Sequence, residues 1–134
     1  MDDTPNLRLP YIMAAQAQKH VTHNEAIRAL DALGHLAVAD RGLAAPPASP
    51  PDGARYLVAA GATGAWTGQD TRIAAWQDGA WAFLAPAEGW IAWVADEAMA
   101  LVHRSGSWQH LPVDPAAVNP VSTVGINTTA DTTN

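Results

Sequence analysis

The chain has 134 residues, 7 of them basic and 13 acidic, which gives a formal net charge of −6 and a pI of about 5.1. Much alanine and few large aliphatic residues predict one domain with a thin core, of the kind that often completes its burial against a copy of itself. The acidic balance, the lack of any long apolar run and the absence of cysteine exclude nucleic-acid binding, membrane insertion, disulfides and thiolate metal sites.

The first segment, residues 1–12, contains two prolines and the short apolar run Leu7, Leu9, Tyr11 and Ile12. This pattern favours an extended N-terminal arm that seeks a groove or a neighbouring strand. We therefore predict that Leu7, Leu9 and Tyr11 make docking contacts.

Residues 13–40 are predicted to form one amphipathic helix. The stretch lacks proline, and its apolar residues recur at steps of three and four, including Ile27, Leu30 and Leu33. These three are predicted oligomerisation and docking contacts, and Gly34 is a weak point near the end. The polar residues Gln16, Gln18, Lys19 and Asn24 are candidates for contacts that fix the helix register against its neighbours.

Residues 41–54 hold four prolines and two glycines, which predicts a linker or wrapping loop. Residues 55–113 then change to a period of two in short runs, and the short spacing leaves no room for crossover helices. The runs predict antiparallel strands at Arg55–Ala59, Arg72–Trp76, Ala80–Leu84, Trp90–Ala95, Met99–His103 and Ser107–Leu111. The fold class is therefore α+β, with a tryptophan-rich module of hairpins.

Two dipeptides predict the tightest turns of this module. Asp78-Gly79 as a two-residue type I′ turn places Gln77 opposite Ala80 and Trp76 opposite Trp81. Ser105-Gly106 likewise pairs His103 with Trp108. Residues 114–134 are small and polar, which predicts an extended connector.

A resemblance covers about residues 4–112. The opening Thr4–Ile12, followed by Gln16-Ala17-Gln18-Lys19-His20 and the residues up to Ala26, resembles the start of an uncharacterised domain family found in prophages and gene transfer agents. Similar later blocks are Ala45-Pro46-Pro47, Asp52-Gly53, Tyr56-Leu57-Val58, Ala74-Ala75-Trp76, Asp78-Gly79-Ala80-Trp81 and Gly89-Trp90. Residues 125–131 look like the segment that joins such domains to a fibre shaft.

The resemblance implies a structural component of a phage-like particle. The implied role is the N-terminal module of a tail fibre, a homotrimer mounted on a baseplate or tail-tip protein, which supports host attachment. It further implies assembly in a bacterial cytoplasm and release with the particle, and residues 114–134 are expected to lead towards a fibre shaft. No catalytic residue and no cofactor is carried over, so a non-enzymatic protein is expected.

The tryptophans have two candidate roles. An indole face stacks on the apolar face of a pyranose, so Trp90, Trp93, Trp76 and Trp81 are candidates for binding a surface polysaccharide. With few aliphatic residues available, the same side chains are the more natural core or subunit interface. Because Trp90 and Trp93 are separated by an odd number of residues, a regular strand sends them to opposite faces, and one of them is the better surface candidate.

Polar side chains suggest two further chemistries. His23 of each chain in a parallel trimer would place three imidazoles on the axis and form a metal site, although a helix histidine is more often solvated. Glu88, Asp96 and Glu97 are the acids available for a cell-wall or polysaccharide hydrolase, since glycoside hydrolysis needs only a carboxylate pair. Solvated carboxylates in loops are the commoner outcome.

Overall fold

The computed structural model describes residues 3–12 and 19–111, and the side chains of Lys19 and His20 are not among those described. It shows one helix followed by two small sheets, which confirms the α+β prediction. The elements are α1 Lys19–Leu33, β1 Ala37–Val38, β2 Arg55–Leu57, a short 3₁₀ turn Gly64–Trp66, β3 Ile73–Gln77, β4 Ala80–Leu84, β5 Ile91–Val94, β6 Met99–Arg104 and β7 Ser107–His110. Within these ranges no helix has the length and apolar character needed to cross a membrane.

The strands form a four-stranded sheet I, in the order β1-β5-β6-β7, and a three-stranded sheet II, in the order β2-β3-β4. All pairs are antiparallel except β1 with β5, which is parallel. The end of β1 also joins sheet II, since Ala39 N–H donates to Arg55 O at 2.8 Å and Leu57 N–H donates to Asp40 O at 3.1 Å. One short segment therefore links the two sheets.

Both predicted type I′ hairpins are confirmed. Asp78 and Gly79 have φ of 51° and 76°, and Ser105 and Gly106 have φ of 53° and 84°. Positive φ at both central residues is the requirement of this turn type. The registers follow as predicted: Gln77 pairs with Ala80, Trp76 with Trp81 and His103 with Trp108.

Two apolar clusters hold the sheets. The first lies between them and consists of Leu36, Val38, Leu57, Ile73, Ala92, Val94 and Leu101. The second covers the other face of sheet II and consists of Tyr56, Val58, Trp66 and Ala74, with Trp81 and Phe83 packed against it. Sheet II is thus apolar on both faces, and the aromatic residues supply bulk that the few aliphatic residues cannot.

The helix ends at Leu33, not at residue 40 as the sequence pattern predicted. His35, with φ of 47°, turns the chain out of the helix. Leu36 and Val38 are then buried in the first cluster, and Ala37 pairs with Trp93. Pairing with the edge of β5 and burial of alternate residues overrule the helix propensity of this alanine-rich stretch.

The Arg55 guanidinium completes this helix end. Its Nη1 donates to the carbonyls of Ala32 at 3.1 Å and Gly34 at 3.4 Å, which satisfies groups that a helix terminus leaves unpaired. Burial lowers the pKa of Arg55, and the negative charge of Asp31 offsets part of that effect. The helix is therefore fastened to the first strand of sheet II.

The N-terminal arm is not extended, contrary to prediction. Thr4 and Leu9 close it into a loop, because Thr4 N–H donates to Leu9 O and Leu9 N–H donates to the Thr4 hydroxyl, both at 2.9 Å. An isolated antiparallel bridge joins Asp3 to Pro10. The folded arm docks on α1 of its own chain.

The buried carboxylate of Asp31 is the anchor of this arm. It accepts hydrogen bonds from the backbone N–H groups of Asn6 and Leu7 and from the Asn6 side chain, and the Thr4 hydroxyl adds another. Burial raises the pKa of Asp31, but these hydrogen bonds together outweigh it, so the pKa lies below the ordinary 3.8. The ionised form is the one that the fold stabilises.

Two further contacts fix the arm. Asn24 binds both backbone groups of Ile12, accepting from its N–H at 2.9 Å and donating to its carbonyl at 3.1 Å. The Arg28 guanidinium lies 4.9 Å from the centre of the Tyr11 ring, at cation–π distance. The arm thus covers a polar stripe of the helix.

The proline-rich segment 41–54 wraps over sheet II. Leu43 O accepts from Ala59 N–H and Ala44 O accepts from Thr63 N–H, both at 2.9 Å, and Leu43 packs against the second cluster. The segment is part of the domain and not a spacer. The predicted connector 114–134 and residues 13–18 of the predicted helix lie outside the described residues.

We expect Asp31→Asn to lower the free energy of unfolding at pH 7 by about 2–3 kcal/mol, because the amide leaves buried donors unsatisfied. A carboxyl whose pKa is lowered on folding stabilises the protein above its unfolded pKa of roughly 3.9, and that contribution is lost as pH falls through the folded pKa. Urea unfolding from pH 7 to pH 2 measures both effects. The difference between wild type and variant should shrink at the acid end, and a constant difference would contradict this role of the carboxylate.

A substitution at Gly53 tests how closely the N-terminal arm packs against this residue. A Cβ added there would lie 2.8 Å from the Pro5 ring, and its φ is +87°. Gly61 has a similar φ of +76° but open space around the added atom, so Gly61→Ala is the matched control for backbone strain. Thermal unfolding should show a larger loss for Gly53→Ala than for Gly61→Ala. Equal losses would mean that the arm does not press on Gly53.

Candidate functional site

The molecule exposes large apolar side chains at the end of α1 and on sheet I. Leu30, Ile91 and Trp93 are 54%, 53% and 47% exposed, which is high for residues of this size. Leu33 lies one helical turn after Leu30 and lines a groove together with Ile91 and Trp93. We call these four residues, Leu30, Leu33, Ile91 and Trp93, the apolar face.

The helix contributes to this face because its polar stripe is turned inward. Asn24, Arg28 and Asp31 lie at helical spacing and hold the arm, so they occupy the side that a helix normally packs on the core. Leu30 is therefore left on the outer side. Of the three predicted helix contacts, Leu30 is exposed, while Ile27 and Leu33 are half-buried.

Strand alternation contributes the other half. In β5 the side chains of Ala92 and Val94 are fully buried, so Ile91 and Trp93 point away from the first cluster. Trp93 lies between Ala37 of β1 and Ala100 of β6 in the strand pairing. Because both neighbours are alanines, no large or charged side chain covers the indole from the adjacent strands.

A shallow groove of about 470 Å³ runs along this face. Its lining residues are Leu33, His35, Leu36, Ala37, Ile91 and Trp93. A neighbouring depression of about 320 Å³ is lined by Leu33, Leu36, Trp90 and Ile91. The lining of the groove holds one imidazole and otherwise apolar side chains. Such a lining suits an apolar side chain of a partner or the flat face of a sugar ring better than a charged ligand.

The other candidate sugar-binding tryptophans have structural contacts. Trp81 packs edge-on against Trp66 and Tyr56, with ring centres 5.2 Å and 5.9 Å away, and Trp76 lies 5.0 Å from Trp81. Trp90 is half-buried against the first cluster. Trp90 and Trp93 therefore do lie on opposite sides of sheet I, and Trp93 is the one with an exposed ring.

The predicted docking residues of the arm bind within the chain. Leu7 lies against Gly34 and Tyr11 lies under Arg28, while Leu9 closes the loop with Thr4. Leu7 and Tyr11 thus join the arm to the helix of the same molecule, and the backbone of Leu9 closes the arm on itself. The geometry does not bring them to the apolar face.

Among the three candidate acids, Glu88 lies too far from Asp96 and Glu97 to form a carboxylate pair with either. Glu97 makes a bidentate pair with Arg41 at 2.8 Å and 2.9 Å, and this hydrogen bonding lowers the pKa of Glu97. Glu88 accepts from Ser105 N–H at the other end of β6, roughly 20 Å away at the rise of an extended strand. Asp96 is exposed in the turn beside Glu97. A glycosidase pair requires a separation below about 10 Å.

His23 is exposed on α1 and stands on the same side as Leu30, seven residues later. The prediction of a three-imidazole site stays a prediction, since a single chain supplies one imidazole of the three. Within the part of the chain that the structure describes, no three histidine, aspartate or glutamate side chains lie close enough to hold a metal ion.

Two residues of the site were missed by the sequence reasoning. Ile91 stands two positions before Trp93, and the alternation that exposes the indole exposes Ile91 as well, so the signal was present in the pattern. His35 lines the groove because the chain leaves the helix there, and the sequence pattern gave no sign of that turn.

Comparison with protein families places the chain. Residues 23–109, which include the whole apolar face and all seven strands except the last residue of β7, match the family described as "Protein of unknown function (DUF2793)". No curated protein matches the chain. Since the match spans well over half of the 134 residues, the chain belongs to the DUF2793 family of proteins of unknown function.

Proposed function

We propose that this protein is a structural attachment module of a phage-like particle, either a gene transfer agent or a prophage. In this role it is the N-terminal module of a tail fibre, which oligomerises, attaches to the baseplate and supports host attachment. The observation that carries the proposal is the apolar face, where Leu30, Ile91 and Trp93 each keep about half of their surface in water.

Burial supplies the driving force for assembly. Covering a large apolar side chain is worth about 1.5–3 kcal/mol when it is complete, and these three are half-covered already. The four side chains of the apolar face carry no charge, so a chain of net charge −6 can meet a copy here without placing like charges in contact. A surface of this kind supports assembly and requires no catalytic group.

The fibre assignment rests on the sequence resemblance, which implies a homotrimer. Three copies around one axis would each bury Leu30 and Trp93 against a neighbour, and three weak receptor or baseplate contacts held together exceed the affinity of one. The protein then acts by geometry and multivalency.

Leu30→Gln should reduce the solution mass of the full chain by two-fold or more, measured by light-scattering chromatography. Glutamine keeps the helix propensity of leucine but removes the apolar contact, so the melting temperature should hardly change. Val21→Gln is the control, because Val21 is 44% exposed on α1 but lies nine residues away, on the opposite side of the helix.

The same two variants test the fibre role in particles released by the strain that encodes the chain. Tagged wild type and Val21→Gln should co-sediment with particle tails, and Leu30→Gln should be depleted. A monomeric wild type, or equal masses for all three chains, would overturn assembly through this face. An assembled chain that is absent from the particles would overturn the particle role alone.

The exposed indole of Trp93 favours a second candidate function, recognition of a surface polysaccharide. Trp93 is 47% exposed and lines the groove, and His35, which lines the same groove, offers hydrogen-bonding nitrogens. A pyranose stacked on the indole would leave its hydroxyl groups within reach of such a donor or acceptor. The mostly apolar lining is the reason that this function ranks second.

Trp93→Ala should abolish retardation of the protein in a gel that contains the host polysaccharide, while Trp93→Phe should keep part of it because a smaller aromatic face remains. Both variants should stay folded, since the ring is half in solvent. Unchanged retardation for Trp93→Ala would contradict the binding of a polysaccharide at Trp93.

A further inference from the structure

The edge of sheet II at β4 is a second surface, separate from the apolar face. β4 is the last strand in the order β2-β3-β4, so one of its two sides has no neighbouring strand in that sheet. Across residues 3–12 and 19–111, the backbone groups of residues 80–84 make no hydrogen bond other than those to β3. A free strand edge is a template for another strand.

The turn fixes which groups point outward. Gln77 and Ala80 flank a two-residue turn and form a hydrogen-bonded pair, and such pairs alternate with non-hydrogen-bonded ones along an antiparallel ladder. The next pair, Trp76 with Trp81, is therefore non-hydrogen-bonded. The hydrogen bonds of Trp76 support this assignment. Its N–H donates to Ala54 O and its carbonyl accepts from Gly53 N–H, so both groups point towards β2 and away from β4.

The outward groups of β4 consequently belong to Trp81 and Phe83. By the same alternation Ala80, Ala82 and Leu84 point their N–H and C=O groups at β3. The free edge thus presents two N–H donors and two C=O acceptors in the spacing of a strand ladder.

The sequence of β4 lacks the features that usually prevent an edge strand from pairing with another chain. Exposed edges in natural proteins carry lysine, proline, a bulge or an inward charge, whereas residues 79–87 read Gly-Ala-Trp-Ala-Phe-Leu-Ala-Pro-Ala, with no charge and no proline before position 86. β7, an outer strand of sheet I, differs from β4. It carries His110 at its end, and Trp108 fastens it to sheet II by donating from Nε1 to Thr71 O at 2.9 Å.

We propose that β4 pairs antiparallel with β4 of a second copy, around a two-fold axis through Ala82. In this register Trp81 lies opposite Phe83 of the second copy, and Ala82 lies opposite its own equivalent. All four free groups of each edge find partners, because Trp81 and Phe83 each exchange two hydrogen bonds with the opposite strand. The two sheets become one of six strands.

The sequence of β4 identifies a second copy as the occupant. The register places aromatic beside aromatic on the outer face of sheet II, which is a favourable cross-strand pair, and alanine beside alanine on the inner face, where both side chains are small. Like the apolar face, this uncharged edge can meet a copy of a chain of net charge −6 without like-charge repulsion. The strand is self-complementary, as a two-fold contact requires.

This contact does not depend on the proposed function. The apolar face lies on α1 and sheet I, and the edge lies on sheet II, so either can be removed while the other remains. If both form, the edge joins assembled oligomers in pairs.

Ala82→Lys tests the pairing, because it places two like charges directly opposite each other at the axis. It should halve the mass of the full chain in light-scattering chromatography. Ala87→Lys adds the same charge at an exposed position beyond the strand and should leave the mass unchanged. Leu30→Gln reports the apolar face separately, and in that background Ala82→Lys should still halve whatever mass remains.

Amide hydrogen exchange of the wild type provides a measurement that does not rely on a substitution being tolerated. On going from dilute to concentrated protein, exchange at Trp81 and Phe83 should slow by about tenfold or more, while Ala82, already paired with β3, should change little. Concentration-independent exchange at Trp81 and Phe83 would overturn the proposal, as would equal masses for Ala82→Lys and Ala87→Lys.

Discussion

The buried carboxylate of Asp31 is the interaction on which the arrangement of this molecule depends. It binds the N-terminal loop through Asn6, Leu7 and Thr4, and so commits the inner side of α1 to polar contacts. A buried acid requires such partners, because an unpaired charge in the interior is costly. Once Asp31 faces inward, helical spacing places Leu30 outward. The helix part of the apolar face is thus a consequence of how the arm is anchored.

The tryptophans show how a chain with few large aliphatic residues builds a domain. Trp66 and Trp81, with Tyr56, form an aromatic cluster behind sheet II, and Trp90 and Trp108 pack against the cluster between the sheets. Their bulk lets a thin sandwich exclude water from both faces of a three-stranded sheet. Trp93 is instead 47% exposed, and for this reason it belongs to the surface through which we propose that copies of the chain assemble.

Two surfaces of different chemistry follow from this architecture. The apolar face offers side-chain burial and a groove, which favours packing of a neighbouring subunit, and the β4 edge offers backbone groups, which favour a strand. The first is set by the polar anchoring of the arm and the alternation in β5, the second by the hairpin register at Asp78-Gly79. If both proposed contacts form, this small module joins copies of itself in two independent ways, as the proposed assembly role requires.

Local chemistry in the sequence determined the hairpins and the placement of Trp90 and Trp93 on opposite faces, because positive-φ turn pairs set register and alternation sets faces within a few residues. Which of the two tryptophans is exposed was decided by packing against the cluster between the sheets. The end of the helix, the folded arm and the strand Ala37–Val38 were decided by tertiary structure alone. Each depends on a partner distant in sequence: Arg55 for the helix end, Asp31 for the arm and β5 for the strand. An alanine-rich stretch fits a helix or a strand almost equally well in isolation, so the neighbouring edge made the choice.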